Sequence, residues 1–365
     1  MIHMKYYTIG VDFGSASVRS LVVDTATGQE VGCGIYEYTF GKAGNWQDDT
    51  VPTMVRQHLD DYVKGLEVSI TKALKTAQLH TDFSIDAVVG IGIDTTGTTI
   101  LPVLADGTPL ACLPEFKDNP NAHIWLWKDH TATKEAREIT QNALADRPAY
   151  INMVGGSYSA ESFWAKVLHC IHTDKQVYDA AYDWMEISDW IPFLITGKTH
   201  VEEAVHNMCT ATHKALYNPE WGGYPDKEFL LSLDPALEKV HCRLERAKVL
   251  TSDQPAGMLS KEWAVQLGLS EHVVVATSAL DAHFGGIGAG IRPGTLVKIL
   301  GTSSCDLAIL KNQDVPIIIG GSVGFAHDSI IPGYLGIEAG QSAVGDMFNW
   351  FVSNIKPQNM SHSQL

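Results

Sequence analysis

The stretch YTIGVDFGSASVRSLVVD, residues 7–24, shares one pattern with a distant stretch, TLVKILGTSSCDLAIL, residues 295–310. In each, an apolar β-prone run meets a glycine and small hydroxyl residues, and a second apolar run follows at once. This pattern predicts two β-hairpins with Gly/Ser/Thr tips. A single hairpin of this kind is usually only a turn, but two tips facing each other could hold a chain of phosphates. The pair therefore favours phosphoryl transfer.

The two tips supply candidate phosphate ligands. Gly14 and Gly301 could adopt positive φ and let backbone N–H groups approach an anion. Asp12 precedes the first tip, where its carboxylate could hold Mg²⁺ or could simply accept backbone hydrogen bonds in the hairpin. Arg19 could reach a phosphate or lie on the outside of the strand. Hydroxyl donors would come from Ser15, Ser17, Thr302 and Ser303. The sequence has no GxxxxGK[ST] and no GxGxxG motif, so a nucleotide would bind by another device.

The composition excludes several classes of protein. The 365 residues suggest two domains, and 45% hydrophobic residues suffice for a large core. A net charge of −16 argues against nucleic acid or an anionic membrane as partner. Six scattered cysteines without a CxxC motif suit reduced thiols in a cytoplasmic protein, and no apolar stretch is long enough to span a membrane. His169 and His172 find no carboxylate or cysteine in the sequence to complete a metal set. No feature of the sequence indicates the oligomeric state, and a homodimer is one option.

The hydrophobic patterns predict an alternation of strands and helices. We expect a strand meander over 7–40, a helix over 50–79 with its N-cap near Asp48–Pro52, and a strand–tip–strand unit over 85–104. An apolar strand at 273–279 leads to Asp281. Further helices are expected at 131–145, 159–172, 185–195, 226–233 and 343–353. The glycine-rich segment 285–294 suggests a boundary between a domain of residues 1–290 and a second unit of residues 291–365.

Several further stretches carry a resemblance to a known family. They are GIGIDTTGTT, PEFKDNPNAHIWLWKDHTA, GGSYSAESFWAKVLH, SALDAHFGGIGAG, LVKILGTSSCD and GIEAGQSAVGD. With the first hairpin, they make the chain resemble the FGGY family of carbohydrate kinases, and within it the members that phosphorylate L-ribulose. The resemblance implies an α/β fold of two actin-like (ribonuclease-H-like) domains with a cleft between them. It also implies ATP and Mg²⁺ as co-substrates, and transfer of the γ-phosphoryl group to the 5-hydroxyl of L-ribulose in L-arabinose breakdown.

The resemblance assigns roles to residues outside the hairpins. Asp281 would be the general base, because a carboxylate after a buried strand is costly unless it has a use; the alternative is that it caps the following turn. Lys214 and Glu338 match the family's sugar site, although Lys214 could be a surface lysine and Glu338 could cap a helix. The remaining proposed sugar contacts are Thr95, Thr96, Trp127, Lys128 and Asp129.

Members of that family run well beyond residue 365, and the further part holds the glycine-rich segment that cups adenosine. We therefore expect the second domain to be incomplete, and the chain alone to be aggregation-prone, with weak sugar binding and little kinase activity. Three other functions stay open: a non-catalytic sugar- or phosphate-binding fragment, a kinase for another pentulose, and an actin-like ATPase. The ATPase would have no need of the sugar residues Lys128, Asp129 and Glu338.

Overall fold

The computed structural model describes residues 5–42, 44–48, 50–301, 303–311, 324–341, 343–357 and 360. Eighteen strands alternate with twelve α-helices in this part of the chain. The strands are β1 Tyr7–Phe13, β2 Ser17–Asp24, β3 Glu30–Glu37, β4 Trp46–Asp48, β5 Val51–Gln57, β6 Val88–Thr95, β7 Ile100–Val103, β8 Ile124–Trp125, β9 Asp183–Glu186, β10 Val205–Asn207, β11 Lys248–Leu250, β12 Pro255–Met258, β13 Val274–Ala276, β14 Ala279–Leu280, β15 Val297–Leu300, β16 Ser304–Lys311, β17 Gly324–His327 and β18 Tyr334–Gln341.

The helices connect these strands and cover their faces. They are α1 Leu59–Ala77, α2 Thr133–Asp146, α3 Pro148–Asn152, α4 Phe163–Thr173, α5 Lys175–Ala180, α6 Ile187–Ile195, α7 Met208–Ala215, α8 Lys227–Leu233, α9 Glu238–Leu244, α10 Lys261–Leu267, α11 Asp281–Gly288 and α12 Gly345–Asn354. None of the helices in the described residues is long and apolar enough to cross a membrane.

A seven-stranded sheet forms the main frame. Its order is β12-β13-β6-β1-β2-β3, and β14 also pairs with β6. The hairpin of β1 and β2 is antiparallel, as predicted, whereas β6, β13 and β14 run parallel to β1 or to each other. Parallel strands deliver their carboxyl ends to one edge of the sheet, and that edge carries the polar tips.

Helix α1 covers this sheet at unusually short range. Its apolar positions Leu59, Leu66 and Ile70 are buried, as their helical spacing predicts. A Cβ placed on Gly32 or Gly34 of β3 would lie 2.2 or 2.1 Å from backbone oxygens of α1. The two glycines therefore allow a close approach of helix and sheet that any side chain would prevent.

The predicted start of this helix was wrong. Residues 51–57 form strand β5, which pairs with β4 and β8, and the helix begins at Leu59. The Asp48 carboxylate accepts hydrogen bonds from the backbone and hydroxyl of Thr50, at 2.8 and 2.6 Å, in the turn between β4 and β5. Aspartate and threonine before an apolar run serve a turn as well as a helix cap, and pairing with distant β8 decides between them.

A five-stranded sheet of order β4-β5-β8-β7-β9 packs beside the first. The predicted strand–tip–strand unit exists as β6 and β7, but its two strands enter different sheets. The predicted helices at 131–145, 159–172, 185–195 and 226–233 correspond to α2, α4, α6 and α8.

The second hairpin begins a separate sheet. β15 and β16 are antiparallel, as predicted, and the order is β15-β16-β18-β17 over a small apolar cluster that includes Leu307 and Ile309. The first part of the glycine-rich segment that suggested a domain boundary, residues 285–288, belongs to helix α11. We propose the boundary between the two units near residue 290, between α11 and β15.

Candidate active site

Three carboxylates lie at the carboxyl edge of the seven-stranded sheet. In the strand register Asp12 of β1 is opposite Asp94 of β6, and Asp94 is opposite Ala279 of β14, two residues before Asp281. The sequence analysis proposed Asp12 and Asp281 but not Asp94. The signal for Asp94 was present, since it too ends an apolar strand before a polar tip, but only the parallel pairing places it between the others.

Burial and electrostatic repulsion raise the pKa values of Asp94 and Asp281. Burial, with a smaller contribution from the Asp12 charge, raises the pKa of Asp281 to about 6. Burial and the charges of Asp12 and Asp281 raise the pKa of Asp94 well above its ordinary value. Asp281 is the first residue of α11, and its Oδ1 accepts a hydrogen bond from the Ala282 N–H at 2.7 Å, which leaves Oδ2 for other chemistry. A carboxylate of this pKa is ionised near neutrality and still basic enough to accept a hydroxyl proton.

The first hairpin tip is a tight turn. The Gly14 N–H donates to Ser17 O at 3.0 Å, and Gly14 does not have positive φ, contrary to the sequence prediction. A Cβ on Gly14 would meet only Ser17 O, at an ordinary 3.5 Å. The Gly14 N–H is therefore already hydrogen-bonded within the turn. The missing side chain of Gly14 instead leaves open space for a ligand. Ser17 is buried, which removes its hydroxyl from the tip surface.

Other residues fix this tip against the neighbouring sheet. The Trp127 indole N–H donates to Ser15 Oγ at 2.9 Å, and the Gln57 amide donates to Ser15 O at 2.9 Å. Arg19 lies opposite Asp12 in the hairpin and approaches its carboxylate to 3.4 Å on the exposed side. Arg19 thus lies on the exposed side of the strand and pairs with the proposed magnesium ligand.

The second tip is also closed by a hydrogen bond from its glycine. The Gly301 N–H donates to Ser303 O at 2.8 Å, and Gly301 also lacks positive φ. The Gly345 N–H at the start of α12 donates to Gly301 O at 3.1 Å. Gly301 is exposed and Ser303 is half-buried, so both remain within reach of a ligand. Thr302 lies outside the described residues.

The carboxylate edge fits a hydrated magnesium ion. All of its donors are oxygen atoms, which Mg²⁺ prefers, and Asp94 Oδ1 is buried with no hydrogen-bond partner among the described residues. The three carboxylates do not belong to the sets of described residues whose ligand atoms converge within 4.8 Å. An ion held here by Asp12 would therefore keep several water ligands, as Mg²⁺ usually does.

Lys214 of α7 and Glu338 of β18 meet although 124 residues separate them. The Lys214 Nζ lies 2.9 Å from Glu338 Oε1, and both side chains are mostly buried. Glu338 stands inside a strand, so the suggestion that it caps a helix was wrong. Burial opposes the charge of both side chains. The ion pair nevertheless raises the pKa of Lys214, and together with the neighbouring histidines it lowers the pKa of Glu338 well below its usual value.

Two histidines complete this cluster. His283, two residues after Asp281, places its Nε2 3.1 Å from Glu338 Oε2, and its Nδ1 lies 2.9 Å from Cys209 Sγ. Despite burial, Cys209 and Glu338 raise the pKa of His283 to about 10. His213 places its Nδ1 3.5 Å from the same Glu338 oxygen, and burial lowers its pKa to about 3. The sequence analysis proposed neither histidine.

The other predicted sugar contacts divide into two groups. Lys128 is half-buried and has no hydrogen bond or ion pair within the described part of the chain, so its ammonium is available. Asp129 is fully buried and its oxygens are used by Val55 N–H, the Arg56 guanidinium and Thr131. The proposal that Asp129 contacts sugar was therefore wrong, because a carboxylate that neutralises buried Arg56 must stay beside it.

The threonines of the third tip are also engaged internally. Thr95 and Thr96 are both buried, and Thr95 Oγ1 donates to Thr96 O at 3.2 Å. Thr96 Oγ1 pairs with Thr99 Oγ1 at 2.9 Å, and Thr96 N–H donates to Phe13 O at 3.1 Å. Both hydroxyls thus bond within residues 95–99, and the Thr96 backbone N–H joins this tip to the end of β1. The predicted sugar contacts of the two threonines are therefore not supported by the orientation of their hydroxyls.

His169 and His172 do have a carboxylate partner, contrary to the sequence analysis. Glu135 of α2 contacts His169 Nδ1 and His172 Nδ1, each at 3.0 Å, with different oxygens. Burial raises the pKa of the Glu135 carboxyl, but the hydrogen bonds with the two histidines lower it to about 2. The contact joins α2 to α4.

A family model and sequence relatives match most of this chain. Residues 7–288 match the family described as the FGGY family of carbohydrate kinases, N-terminal domain. The chain is 42% identical over 349 residues to a ribulokinase of Vibrio parahaemolyticus, and 38% identical over 354 residues to a ribulokinase of Halalkalibacterium halodurans. The alignments cover 95% of this chain in both cases, but 61% and 60% of those two relatives, respectively.

Solved structures share the fold at much lower sequence identity. A xylulose kinase from Lactobacillus acidophilus superimposes with a TM-score of 0.72 at 16% identity, over 96% of this chain and 63% of that one. A glycerol kinase of Plasmodium falciparum, solved with ADP, gives 0.70 at 13% identity, over 96% of this chain and 64% of that one. The predicted α/β fold of actin-like type is thereby confirmed.

Proposed function

Because the chain belongs to the FGGY family of carbohydrate kinases, we propose that its protein transfers the γ-phosphoryl group of ATP to the 5-hydroxyl of L-ribulose. The observation that carries this proposal is the placement of Asp281 at a strand end, two residues before a histidine that contacts Glu338 of the other sheet. A basic carboxylate thus lies beside a pair of opposite charges suited to a polyhydroxylated substrate.

Asp281 acts as the general base. It accepts the proton of the attacking hydroxyl, and its pKa of about 6 keeps it ionised at neutral pH. A positioned base of this kind typically contributes about 10²–10⁴-fold to the rate. Its backbone hydrogen bond to Ala282 fixes the carboxylate at the start of α11, so that the hydroxyl meets an oriented oxygen.

Lys214 and Glu338 bind the sugar. The ammonium donates to hydroxyl or carbonyl oxygens, and the carboxylate accepts from sugar hydroxyls. Both groups are held in place before the sugar arrives, because His283 and Lys214 occupy one oxygen each of Glu338. Lys128, which has an available ammonium beside Trp127, is a further candidate for a polar substrate group.

The two hairpin tips hold ATP. Gly14 and Ser15 on one side, with Gly301 and Ser303 on the other, would line the phosphates, and Asp12 would hold the magnesium ion through water. When bound, magnesium neutralises the charge that develops on the transferred phosphoryl group.

The ribulokinase relatives favour L-ribulose over another pentulose, since they match at 33–42% identity, whereas the xylulose kinases match at 16–18% and share the fold alone. The test is a steady-state comparison of L-ribulose, D-xylulose and glycerol as acceptors in the protein that carries this chain. We expect the highest kcat/KM for L-ribulose, with phosphorus NMR identifying the 5-phosphate. A higher kcat/KM for D-xylulose or glycerol would overturn the substrate assignment, and absence of phosphorylated product with all three would overturn the kinase itself.

A further inference from the structure

Glu338, which the proposed function assigns to the sugar, is also the meeting point of a set of metal-ligating side chains. His213 Nδ1 and His283 Nε2 both face Glu338 Oε2, at 3.5 and 3.1 Å. In the described part of the chain, these three residues are the set of His, Cys, Asp or Glu whose ligand atoms all lie within 4.8 Å of one another. Two imidazoles and a carboxylate on separate elements are a recognised ligand combination for a transition metal.

The hydrogen bonds around His213 leave a lone pair facing the carboxylate. Ser329 Oγ donates its one proton to Ala326 O at 3.0 Å, so it accepts from His213 Nε2, which lies 2.9 Å away. With its Nε2–H donating to Ser329, His213 turns the lone pair of Nδ1 toward Glu338 Oε2, so one metal ion could bind both atoms.

The distances suit zinc. Zinc bound at about 2.0–2.1 Å to tetrahedral ligands places neighbouring ligand atoms roughly 3.3 Å apart. The observed 3.1 and 3.5 Å lie on either side of that value. The set contains two nitrogen ligands, which magnesium does not favour, so this site is different in kind from the carboxylate edge at Asp12.

Outer contacts orient both imidazoles. Ser329 holds the far nitrogen of His213, and Cys209 Sγ lies 2.9 Å from the far nitrogen of His283. Ligand histidines in metal sites are held by this kind of second contact. Space is also provided, because Gly324 lies opposite Glu338 in the sheet, and a Cβ there would come within 3.1 Å of His213 Nδ1.

We propose that His213, His283 and Glu338 form a binding site for one zinc ion or a similar late transition-metal dication. Binding replaces the proton that His283 Nε2 donates to Glu338. Lys214 stays on the other oxygen of Glu338, at 2.9 Å, and its charge opposes the ion. With three protein ligands and this repulsion, we expect a dissociation constant on the order of 1 µM, weaker than that of structural zinc sites.

The proposal concerns metal binding and does not require kinase activity. Occupation would hold the carboxylate that we assign to the sugar, and only that consequence rests on the proposed function. Glu338 keeps 12% of its side chain exposed, whereas the two histidines expose 2% or less, so an ion would enter past the carboxylate.

The test is zinc binding by the metal-stripped chain, measured by competition with a chromophoric chelator. We expect one zinc ion per chain, and visible absorption bands of a low-coordinate site when cobalt(II) replaces zinc. His213→Gln and His283→Gln are each expected to weaken zinc binding by more than about 100-fold, and Ser329→Ala by about tenfold. Only variants with an unchanged metal-free melting curve are compared.

His172→Gln is the matched control. It also removes a histidine that contacts a glutamate, but its cluster presents no converging ligand set, so zinc binding should not change. If the histidine variants fail to fold, Glu338→Gln, which keeps the shape of the side chain, carries the test and should lose binding. No binding by the unmodified chain at 100 times the expected dissociation constant, or equal losses in His172→Gln and the site variants, would overturn the proposal.

Discussion

Replacing Asp281 by asparagine is expected to make the folded chain more stable while it removes phosphoryl transfer. Burial disfavours the charged form of this carboxylate and raises its pKa from 3.8 to about 6. Between these two values the folded state binds more protons than the unfolded state, so stability falls as the pH rises. Above about pH 6 the full cost of the buried charge is present, and a neutral asparagine avoids it.

The size of the effect follows from the shift in pKa. A shift of about 2 pKa units corresponds to at most ~3 kcal/mol at neutral pH. Asp281 is only partly buried, so screening by solvent reduces this to about 1–2 kcal/mol. The backbone hydrogen bond from Ala282 is kept, because the asparagine carbonyl can accept it. We expect a melting temperature roughly 2–5 °C higher at pH 7.5, and a kcat about 10²–10⁴-fold lower.

The assay is denaturant or thermal unfolding of both chains at pH 4 and pH 7.5, with turnover measured in the protein that carries the chain. The stability gain should be present at pH 7.5 and nearly absent at pH 4, where Asp281 is protonated in the folded state. A variant that is destabilised at pH 7.5, or that turns over within a few-fold of the unmodified protein, would refute the reasoning.

Three further substitutions test separate parts of the site. Gly14→Ala should leave stability unchanged, since its Cβ would meet only an ordinary contact, but it should raise the KM for ATP about tenfold by filling the phosphate space. The control is Gly10→Ala in the preceding strand β1, where a Cβ meets nothing within 4 Å. Lys214→Met should raise the KM for L-ribulose by about 10–100-fold and leave the KM for ATP unchanged, because a charged hydrogen bond to sugar is lost; an equal change in both would remove Lys214 from the sugar site. Asp129→Asn should destabilise the chain by about 3–5 kcal/mol in urea unfolding by leaving Arg56 unpaired, whereas a raised KM for sugar in a stable Asp129→Asn variant would restore the role that the structure denies it.

Much of the fold could be predicted from local patterns. The two hairpins and most helices, such as α4 and α8, carry strong periodicity or turn residues, and these features act over short distances in the chain. The start of α1 could not be predicted, because strand β5 is stabilised by pairing with β8 some 70 residues later. The residues around Asp48, predicted to cap a helix, instead form the turn between β4 and β5.

Site residues that end a strand could be predicted from the sequence. Residues whose role depends on contacts with distant side chains were harder to predict. Asp12 and Asp281 follow apolar runs, and their position alone suggests the edge of a sheet. Asp94 has the same sequence pattern, but only its position beside Asp12 and β14 in the strand register indicates its place in the site. Asp129 looks like a ligand in the sequence, yet Arg56, which is buried against Trp125 at 3.4 Å, requires it as a counter-ion. A buried ion pair between distant residues leaves no local pattern.

The central claim is that Asp281 accepts the proton of the sugar hydroxyl, and the pH dependence of kcat/KM for L-ribulose tests it most directly. This ratio reports the ionisation of groups in the free enzyme. Since Asp281 must be deprotonated and its pKa is about 6, kcat/KM should rise about tenfold per pH unit below pH 6 and become level above it. The residual activity of Asp281→Asn should lack this rise. A profile that is flat between pH 5 and 8 in the unmodified protein, or a rise that persists unchanged in Asp281→Asn, would contradict the account.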